Sequence, residues 1–531
     1  MNAFMTSAMR VAMKGAAAAA AAMLMLAVSG TAQAQNRAVT VDAGRTTGTI
    51  RSLDGVNGGP APVMAGLPSL EKQYREARVD IVRTHDYMGP TEMDSQFDLD
   101  NATLAWLVPD TEQRRKLVEA GNAAVIFRDW SKDPEKAESY NFGATDKAIE
   151  AIRASGAEVY YRIGRSFGAR TAPPVDFEKY AEVVKHVEMH YNSGWAHGYH
   201  DGIRYWEFWN EPELFWSGTA EQFYSLYEKT ARALKSENPS LEVGGPTLAF
   251  PTAAGAFREG FLDYCAAHHV PLDFFSWHTY ADYTADPLDA SRIAERIHGL
   301  LGGHGFPAAR SILSEYNRSA DFTEVEKDEL RSADNAAFVA DTLIYLENQP
   351  VDRAIFYRGD AAWMGLFDMQ GNPYKPAFAV RAMGEMADTP ERVAATGGDQ
   401  DGLAVLAGRS KDGKRVQILI GNYASPPNYQ AHIMTPPADF MKGTHVPDFS
   451  KIERLPARRV EYKNNGGYDL TVENLPWGEE DFTVKRYRLD GTHDWDLVET
   501  TEGRGGEWKN TETLAAPAVE MVVLERKQGQ R

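Results

Sequence analysis

The stretch Arg204-Tyr-Trp-Glu-Phe-Trp-Asn-Glu-Pro-Glu-Leu-Phe-Trp216 decides the fold. Tyr205 to Trp209 is an aromatic, β-prone run, and Asn210-Glu211-Pro212 ends it, because proline cannot extend a sheet ladder. Asn210 and Glu211 therefore stand at the carboxyl end of a strand. In a βα barrel that is the face on which chemistry sits. Trp206, Trp209 and Trp216 offer flat apolar walls suited to stacking on sugar rings and to raising a carboxyl pKa by desolvation. Thr219-Ala-Glu-Gln222 has the form of a capping box. Behind it Phe223, Leu226, Tyr227, Ala231 and Leu234 follow a helical apolar period. The local order is strand, carboxylate-bearing loop, capped helix. A lone loop glutamate is usually a solvated one. The aromatic frame, with Asn in front and Pro behind, marks Glu211 for function instead.

Working outward, the same order repeats. Asp54-Gly-Val-Asn-Gly-Gly-Pro60 is a glycine-rich loop at the mouth of a first strand, without the Gly-Lys-Ser/Thr ending of a phosphate loop. Val79 to Asp86 is an apolar strand ending in Arg83, His85 and Asp86. Glu158 to Arg165 ends at Arg165, Leu241 to Pro246 at a breaker, and Asp273 to Tyr280 in Trp277, His278 and Tyr280. Ala309 to Asn317 carries Glu315 at its end, and Asp352 to Asp360 carries Arg358. Helical stripes separate these runs. Eight strands between about 51 and 388 predict a (β/α)₈ TIM barrel, a fold of the α/β class. His186 and His190 have the i,i+4 spacing of metal ligands, but the sequence His-Val-Glu-Met-His lacks the glutamate of a zinc-protease helix. They read as solvated helix histidines.

From 389 to 531 the texture changes to short strands broken by turns such as Asn464-Asn-Gly-Gly467 and Asp490-Gly491. The expected strands are Leu403–Ala407, Arg415–Tyr423, Ala457–Tyr462, Tyr468–Val472, Thr483–Leu489 and Val519–Arg526. This is the pattern of a C-terminal accessory β-sandwich domain. Residues 35–50 hold one further strand that is a candidate to join it.

Residues 1–34 read as a signal peptide: Arg10 and Lys14, an apolar run from Ala16 to Val28, and Ala32-Gln33-Ala34 as cleavage site. An uncleaved anchor is the alternative, against which the run is short for a membrane span. An exported protein, periplasmic or extracellular, with no stable membrane insertion after cleavage, is the expectation. The formal net charge of −19 argues against nucleic acid as a partner. A single cysteine, Cys265, excludes an internal disulfide and reads as a small buried hydrophobe.

Glu211 and Glu315, on strands four and seven, would face each other across the barrel mouth. Two such carboxylates are what glycoside hydrolysis needs: one protonated to assist the leaving oxygen, one ionised to attack the anomeric carbon. Trp209-Asn-Glu-Pro212 followed by Phe215 and Trp216, Ser276-Trp-His-Thr-Tyr280 and Ser314-Glu-Tyr-Asn317 resemble glycoside hydrolase family 39. This is a clan A family of retaining enzymes that includes β-xylosidases and α-L-iduronidases. The resemblance covers most of the chain after the leader. It implies Glu211 as acid/base, Glu315 as nucleophile, Asn210 on the sugar 2-hydroxyl, and Tyr280 donating to Glu315. His278 and His85 would line the pocket, with Asp86 beside them, and no metal or other cofactor is required. The expected substrate is an oligosaccharide or glycan of plant or microbial origin, with β-xyloside as the first choice of sugar. A galactoside, arabinoside or uronic acid keeps the same mechanism. Arg83, Arg165 and Arg358 would either bind an acidic sugar or pair Asp86 and Asp360. A catalytically silent carbohydrate-binding protein is the reading from another class. Oligomeric state is not legible.

Overall fold

The computed structural model describes residues 36–527 apart from 63–66, 88, 95–109, 166–171, 253–255, 282–284, 321–323, 362, 426–443, 446–457, 459, 461 and 463–465. The leader and, within the expected strand Ala457–Tyr462, residues 457, 459 and 461 lie outside the described residues. No described helix is long and apolar enough to cross a membrane.

The first strand, β1 (Arg37–Thr49), belongs to the accessory sheet described below. Eight strands then close into a parallel barrel: β2 (Asp54–Asn57), β3 (Ile81–Arg83), β4 (Glu158–Ile163), β5 (Tyr205–Phe208), β6 (Glu242–Leu248), β7 (Phe274–Tyr280), β8 (Arg310–Asn317) and β9 (Arg353–Phe356). Strand β9 pairs back onto β2 and closes the ring. Ile81, Tyr160, Tyr205, Phe274, Ile312 and Ile355 fill one apolar layer inside it, each from a different strand. Side chains alternate along a strand, so two residues further on Arg83 and Glu207 occupy the next inward layer. Both are fully buried. The barrel thus changes from hydrocarbon to paired charge as it rises toward the strand ends.

Outward-facing residues hold the helices. Phe208 meets Phe223 and Tyr227 at ring separations of 5.3 and 5.5 Å. The helix Ala220–Glu237 starts with the capping box, Thr219 and Gln222 each satisfying the other's backbone N–H. Trp206 stacks on Tyr161 at 4.7 Å, on the helix side of the barrel and not toward its mouth. The expected solvated pair His186 and His190 is buried. Phe142 stacks on the His190 ring at 3.6 Å, and Asp146 Oδ1 lies 3.1 Å from Nε2. Their helix Phe177–Asn192 is covered by the turn at Trp195, which the i,i+4 spacing does not reveal.

The remaining strands are β10 (Glu391–Thr396), β11 (Leu403–Arg409), β12 (Arg415–Asn422), β13 (Gly467–Glu473), β14 (Asp481–Leu489), β15 (Asp494–Arg504), β16 (Trp508–Thr513) and β17 (Ala518–Arg526). With β1 they form one nine-stranded sheet in the order β15-β14-β17-β12-β11-β10-β1-β13-β16. Strand β1 runs antiparallel to β10 and parallel to β13. Tyr468, Leu470 and Val472 near one end share a core with Phe482, Val484 and Leu524 near the other. The sheet therefore folds over on itself into two layers. Strands β15 and β16 escape a reading by hydrophobic alternation because they are edge strands, almost wholly polar and exposed. The helix Ala333–Leu346 packs between barrel and sheet, with Phe338 against Tyr423 at 5.8 Å.

Candidate active site

The site is built where β5 and β8 stop. After Phe208 the backbone enters the left-handed region at Trp209 and again at Glu211, which has φ 46°. Non-glycine residues adopt that region at a cost of about 1–2 kcal/mol each. Neighbours must hold them there. The Glu211 N–H donates to the carbonyl of Thr247 at 2.9 Å, and the Trp209 N–H to Ile163 at 2.8 Å. Gly164 makes room for the indole: a Cβ there would stand 2.6 Å from the Trp209 ring. Pro212 opens the one-turn helix Pro212–Phe215, which aims the chain back toward the mouth.

Glu315, at the end of β8, faces Glu211. One carboxylate oxygen of each and one ring nitrogen of His278 all lie within 4.8 Å of one another. His278 Nδ1 is 2.9 Å from Glu211 Oε1 and 3.5 Å from Glu315 Oε2. Tyr280 donates to Glu315 Oε2 at 2.7 Å. On the other oxygen, Arg83 Nη1 donates at 2.7 Å and His85 Nε2 stands at 3.1 Å. Arg83 spends its remaining donors on Glu207 Oε2 at 2.5 Å, Asn57 Oδ1 at 2.9 Å and Asn210 Oδ1 at 2.9 Å. The Asn210 carbonyl is thereby fixed, leaving its amide nitrogen as the end available to donate.

The two glutamates are pushed apart in acidity. Burial raises Glu211, the hydrogen bond from His278 opposes the rise, and the negative charge of Glu315 adds to it. Burial also acts to raise Glu315, but His278, His85 and Arg83 outweigh it and hold this carboxyl well below the usual range. His85 is itself pushed down by burial. The environment thus favours the protonated form of Glu211 and the ionised form of Glu315. Next to them, burial lifts the Glu213 carboxyl to about 8.

The structure brings Asn210, Glu211, His85, His278, Tyr280 and Glu315 together. Asp86 stands 3.5 Å from His85 and accepts from the Tyr357 hydroxyl at 2.5 Å. Arg358 is taken up by Asp86 at 3.3 Å and by both oxygens of Asp360, with Nε donating at 2.8 Å. Arg165 forms a two-point pair with Asp94 at 2.8 and 2.7 Å. These arginines answer carboxylates of the protein itself. Trp216 is a correction. It is 0 % exposed, its ring lies edge-on to Trp209 at 5.2 Å and to Phe223 at 5.5 Å, and its indole N–H donates to the Thr219 carbonyl. The one-turn helix before it folds the side chain inward, so no face is left for a sugar.

Sequence reasoning missed Glu207, Asn57 and Tyr357. Glu207 carries a signal after the fact, since a carboxylate in the middle of an aromatic strand demands a buried cation. The only His, Cys, Asp and Glu grouping compact enough to ligate a metal ion, among the described residues, is Glu211, His278 and Glu315. Two of its members are the carboxyls whose acidities are pushed in opposite directions.

A closed parallel barrel with paired glutamates at the carboxyl ends of its fourth and seventh strands defines a glycosidase-type site. Residues 125–317 match the model of glycosyl hydrolases family 39. Over 93 % of its length the chain superposes on the whole of a glucosidase from Croceicoccus marinus, with a TM-score of 0.79 and 34 % identity. It is 28 % identical over 302 residues to a β-xylosidase from Geobacillus stearothermophilus, a match that takes in 48 % of this chain and 57 % of that one. The chain thus matches little more than half the length of that relative. A monomeric β-xylosidase from Caulobacter crescentus shares the fold at a TM-score of 0.64 and 17 % identity. The chain belongs to glycosyl hydrolases family 39.

Proposed function

We propose that this protein is an exported, retaining exo-glycosidase that removes neutral sugars from glycans. The observation that carries the reading is the approach of Glu211 and Glu315 to within 4.8 Å. Retaining enzymes hold their carboxyls about 5–5.5 Å apart, and inverting enzymes need about 6.5–9.5 Å to admit water. In the first step a Glu315 oxygen attacks the anomeric carbon, the glycosidic C–O bond breaks, and Glu211 gives its proton to the departing oxygen. Esterified Glu315 no longer carries charge, so the repulsion that helps keep the proton on Glu211 disappears. Glu211 then takes a proton from water, the hydroxide adds to the anomeric carbon, and the ester bond breaks to restore Glu315. Two inversions leave the configuration unchanged. Asn210 is oriented to donate to a sugar hydroxyl, and no step calls for a metal.

Pairing of Arg83, Arg165 and Arg358 with internal carboxylates supports a neutral glycone over a uronic acid. A β-xyloside is the first choice, on the curated relatives. A β-glucoside is the second reading, favoured by the full-length likeness to the Croceicoccus glucosidase. Export rests on residues 1–34, and amino-terminal sequencing should find Gln35 first. The test is a panel of aryl α- and β-glycosides with Glu315→Gln and Glu211→Ala alongside. One sugar should be cleaved with retention. Glu315→Gln should lose that activity, and Glu211→Ala should regain it with azide as a β-glycosyl azide. An inverted product from the unmodified protein would overturn the assignment. Sugar binding without turnover, unaffected by either substitution, would mean a carbohydrate-binding protein.

A further inference from the structure

Glu213 lies two residues beyond the glutamate read above as acid/base, and its carboxyl is buried. Oε1 accepts from the backbone N–H of Phe250 at 2.9 Å. The N–H groups of Ala249 and of Glu213 itself also face the carboxyl. Oε2 is buried with no hydrogen-bond partner among the described residues. Ala249 and Phe250 lie just past β6, next to Thr247 near the end of that strand, whose carbonyl accepts from the Glu211 N–H. Thr247 has φ 67° and Glu211 φ 46°, so both sides of that bond are in the left-handed region. Two strained backbones face each other, and a side chain next to them fastens one loop to the other. From the opposite side, the N–H of His445 donates to the Glu213 carbonyl at 2.8 Å, and its ring packs on Phe257 at 5.0 Å.

A carboxylate is an unexpected choice for this task. Buried glutamates are rare unless paired, and no cation answers this one among the described residues. What the site offers is a set of backbone donors. A neutral carboxyl can accept from them without the cost of a buried charge. It also places no second negative charge beside Glu211.

We propose that Glu213 is a positioning residue for Glu211: its carboxyl ties the acid/base loop to the loop after β6 and so keeps the Glu211 proton aimed at the glycosidic oxygen. The inference rests on reading Glu211 as acid/base. The function lies in accepting hydrogen bonds, not in charge. Glutamine should therefore replace it, and a side chain without oxygen should not.

The test is the dependence of kcat/KM on the leaving group across a series of aryl glycosides, using the full chain. Protonation by Glu211 matters for a poor leaving group such as phenol and hardly at all for dinitrophenol. Glu213→Met fills the space without an acceptor. It should lose roughly 10²-fold on the phenyl glycoside, the scale of lost general acid catalysis, and under about 5-fold on the dinitrophenyl glycoside. Glu213→Ala should behave likewise. If it does not fold, Glu213→Met gives the same comparison. Glu213→Gln should stay within about 3-fold on both, since its side-chain oxygen still accepts from Phe250. Equal losses on every leaving group would make Glu213 merely structural and overturn the proposal. So would a glutamine variant as impaired as the methionine one, or a methionine variant with no loss. Glu211→Ala in the same series separates the two layers. If it lacks the leaving-group dependence, the acid/base reading itself falls. If it shows the dependence and the Glu213 variants do not, only the present inference falls.

Discussion

Arg83 holds Glu315 at 2.7 Å inside the barrel, with the arginine 0 % and the glutamate 4 % exposed. The same guanidinium reaches Glu207, Asn57 and Asn210. It thus fixes the proposed nucleophile and the residue beside the proposed acid together, through one planar group. Lysine has the charge without the fork and cannot serve four acceptors in this geometry. Arg83→Lys should therefore lower kcat/KM by at least roughly 10²-fold, since small misplacement at a reacting centre costs that much. The acid limb of its pH profile should also move upward, because Glu315 loses the hydrogen bond from the guanidinium Nη1. Arg83→Met, which takes the cation away from two buried glutamates, should cost about 3–5 kcal/mol of stability. Steady-state pH profiles and urea unfolding distinguish the two variants.

The opposed shifts of Glu211 and Glu315 fix the shape of the pH profile. In the proposed mechanism activity needs Glu315 ionised and Glu211 protonated. Glu315 is pushed down, so its ionised form persists to lower pH than an ordinary glutamate allows. Glu211 is pushed up, so its protonated form persists to higher pH. The kcat/KM plateau should accordingly extend beyond the usual carboxylate range on both sides, with limbs that belong to the interacting pair. Glu211→Ala, assayed on a dinitrophenyl glycoside, should lose the alkaline limb and keep the acid one. An alkaline limb unchanged in that variant would assign it to another group.

Much of this was legible in the sequence, and the limits have physical causes. Barrel strands announce themselves because each apolar run stops at a polar or breaking residue, as at Asn210-Glu211-Pro212 and Ser314-Glu315. The proximity of Glu211 and Glu315 follows from which strands they end. Pairing inside the barrel does not follow, because it depends on register and layer: Arg83 meets Glu207, 124 positions away, only because both point inward at one level. Arg358 was open between sugar and protein for the same reason, and Asp86 and Asp360 decide it. His190 and Trp216 fail differently. His190 lies in a helix polar enough for a surface and is covered by the turn at Trp195, while Trp216 is folded inward onto Trp209 and Phe223 by the one-turn helix before it. Strands β15 and β16 lack the alternation that would betray them, since edge strands bury so little.

Asp54, at the foot of the barrel, is buried, and its Oδ2 has no hydrogen-bond partner among the described residues. Burial, with the nearby charge of Asp80, raises its carboxyl from 3.8 to about 7. Below the unfolded value both states hold the proton, and Asp54 contributes no pH dependence. Between 3.8 and about 7 the folded state keeps a proton that the unfolded chain releases, so rising pH destabilises the fold. The full penalty is present above about 7. At about 1.4 kcal/mol per unit it is on the order of 4 kcal/mol. Asp54→Asn removes the ionisation. Its stability relative to the parent should rise between pH 4 and 8 by on the order of 2–4 kcal/mol. Thermal unfolding at several pH values checks this, and a difference independent of pH would show that Asp54 ionises as readily in the folded state as in the unfolded one.

Trp216 separates a core residue from a sugar platform. Its ring packs edge-on against Trp209 and Phe223, and its N–H satisfies the Thr219 carbonyl at 2.9 Å, at the cap of the helix Ala220–Glu237. Trp216→Phe keeps most of the hydrocarbon and loses the donor. It should cost about 1–2 kcal/mol, near the value of one buried hydrogen bond. Trp216→Ala opens a cavity beside the loop that carries Glu211 and should cost about 3–5 kcal/mol. Because no face of the indole reaches the pocket, KM for an aryl glycoside should stay within about 2-fold in the phenylalanine variant. A stacking platform would give the opposite pattern, with KM rising several-fold while the urea midpoint hardly moved. Measuring both quantities on Trp216→Phe therefore decides between them. The indole belongs to the wall that braces Glu211 and not to the surface that meets sugar.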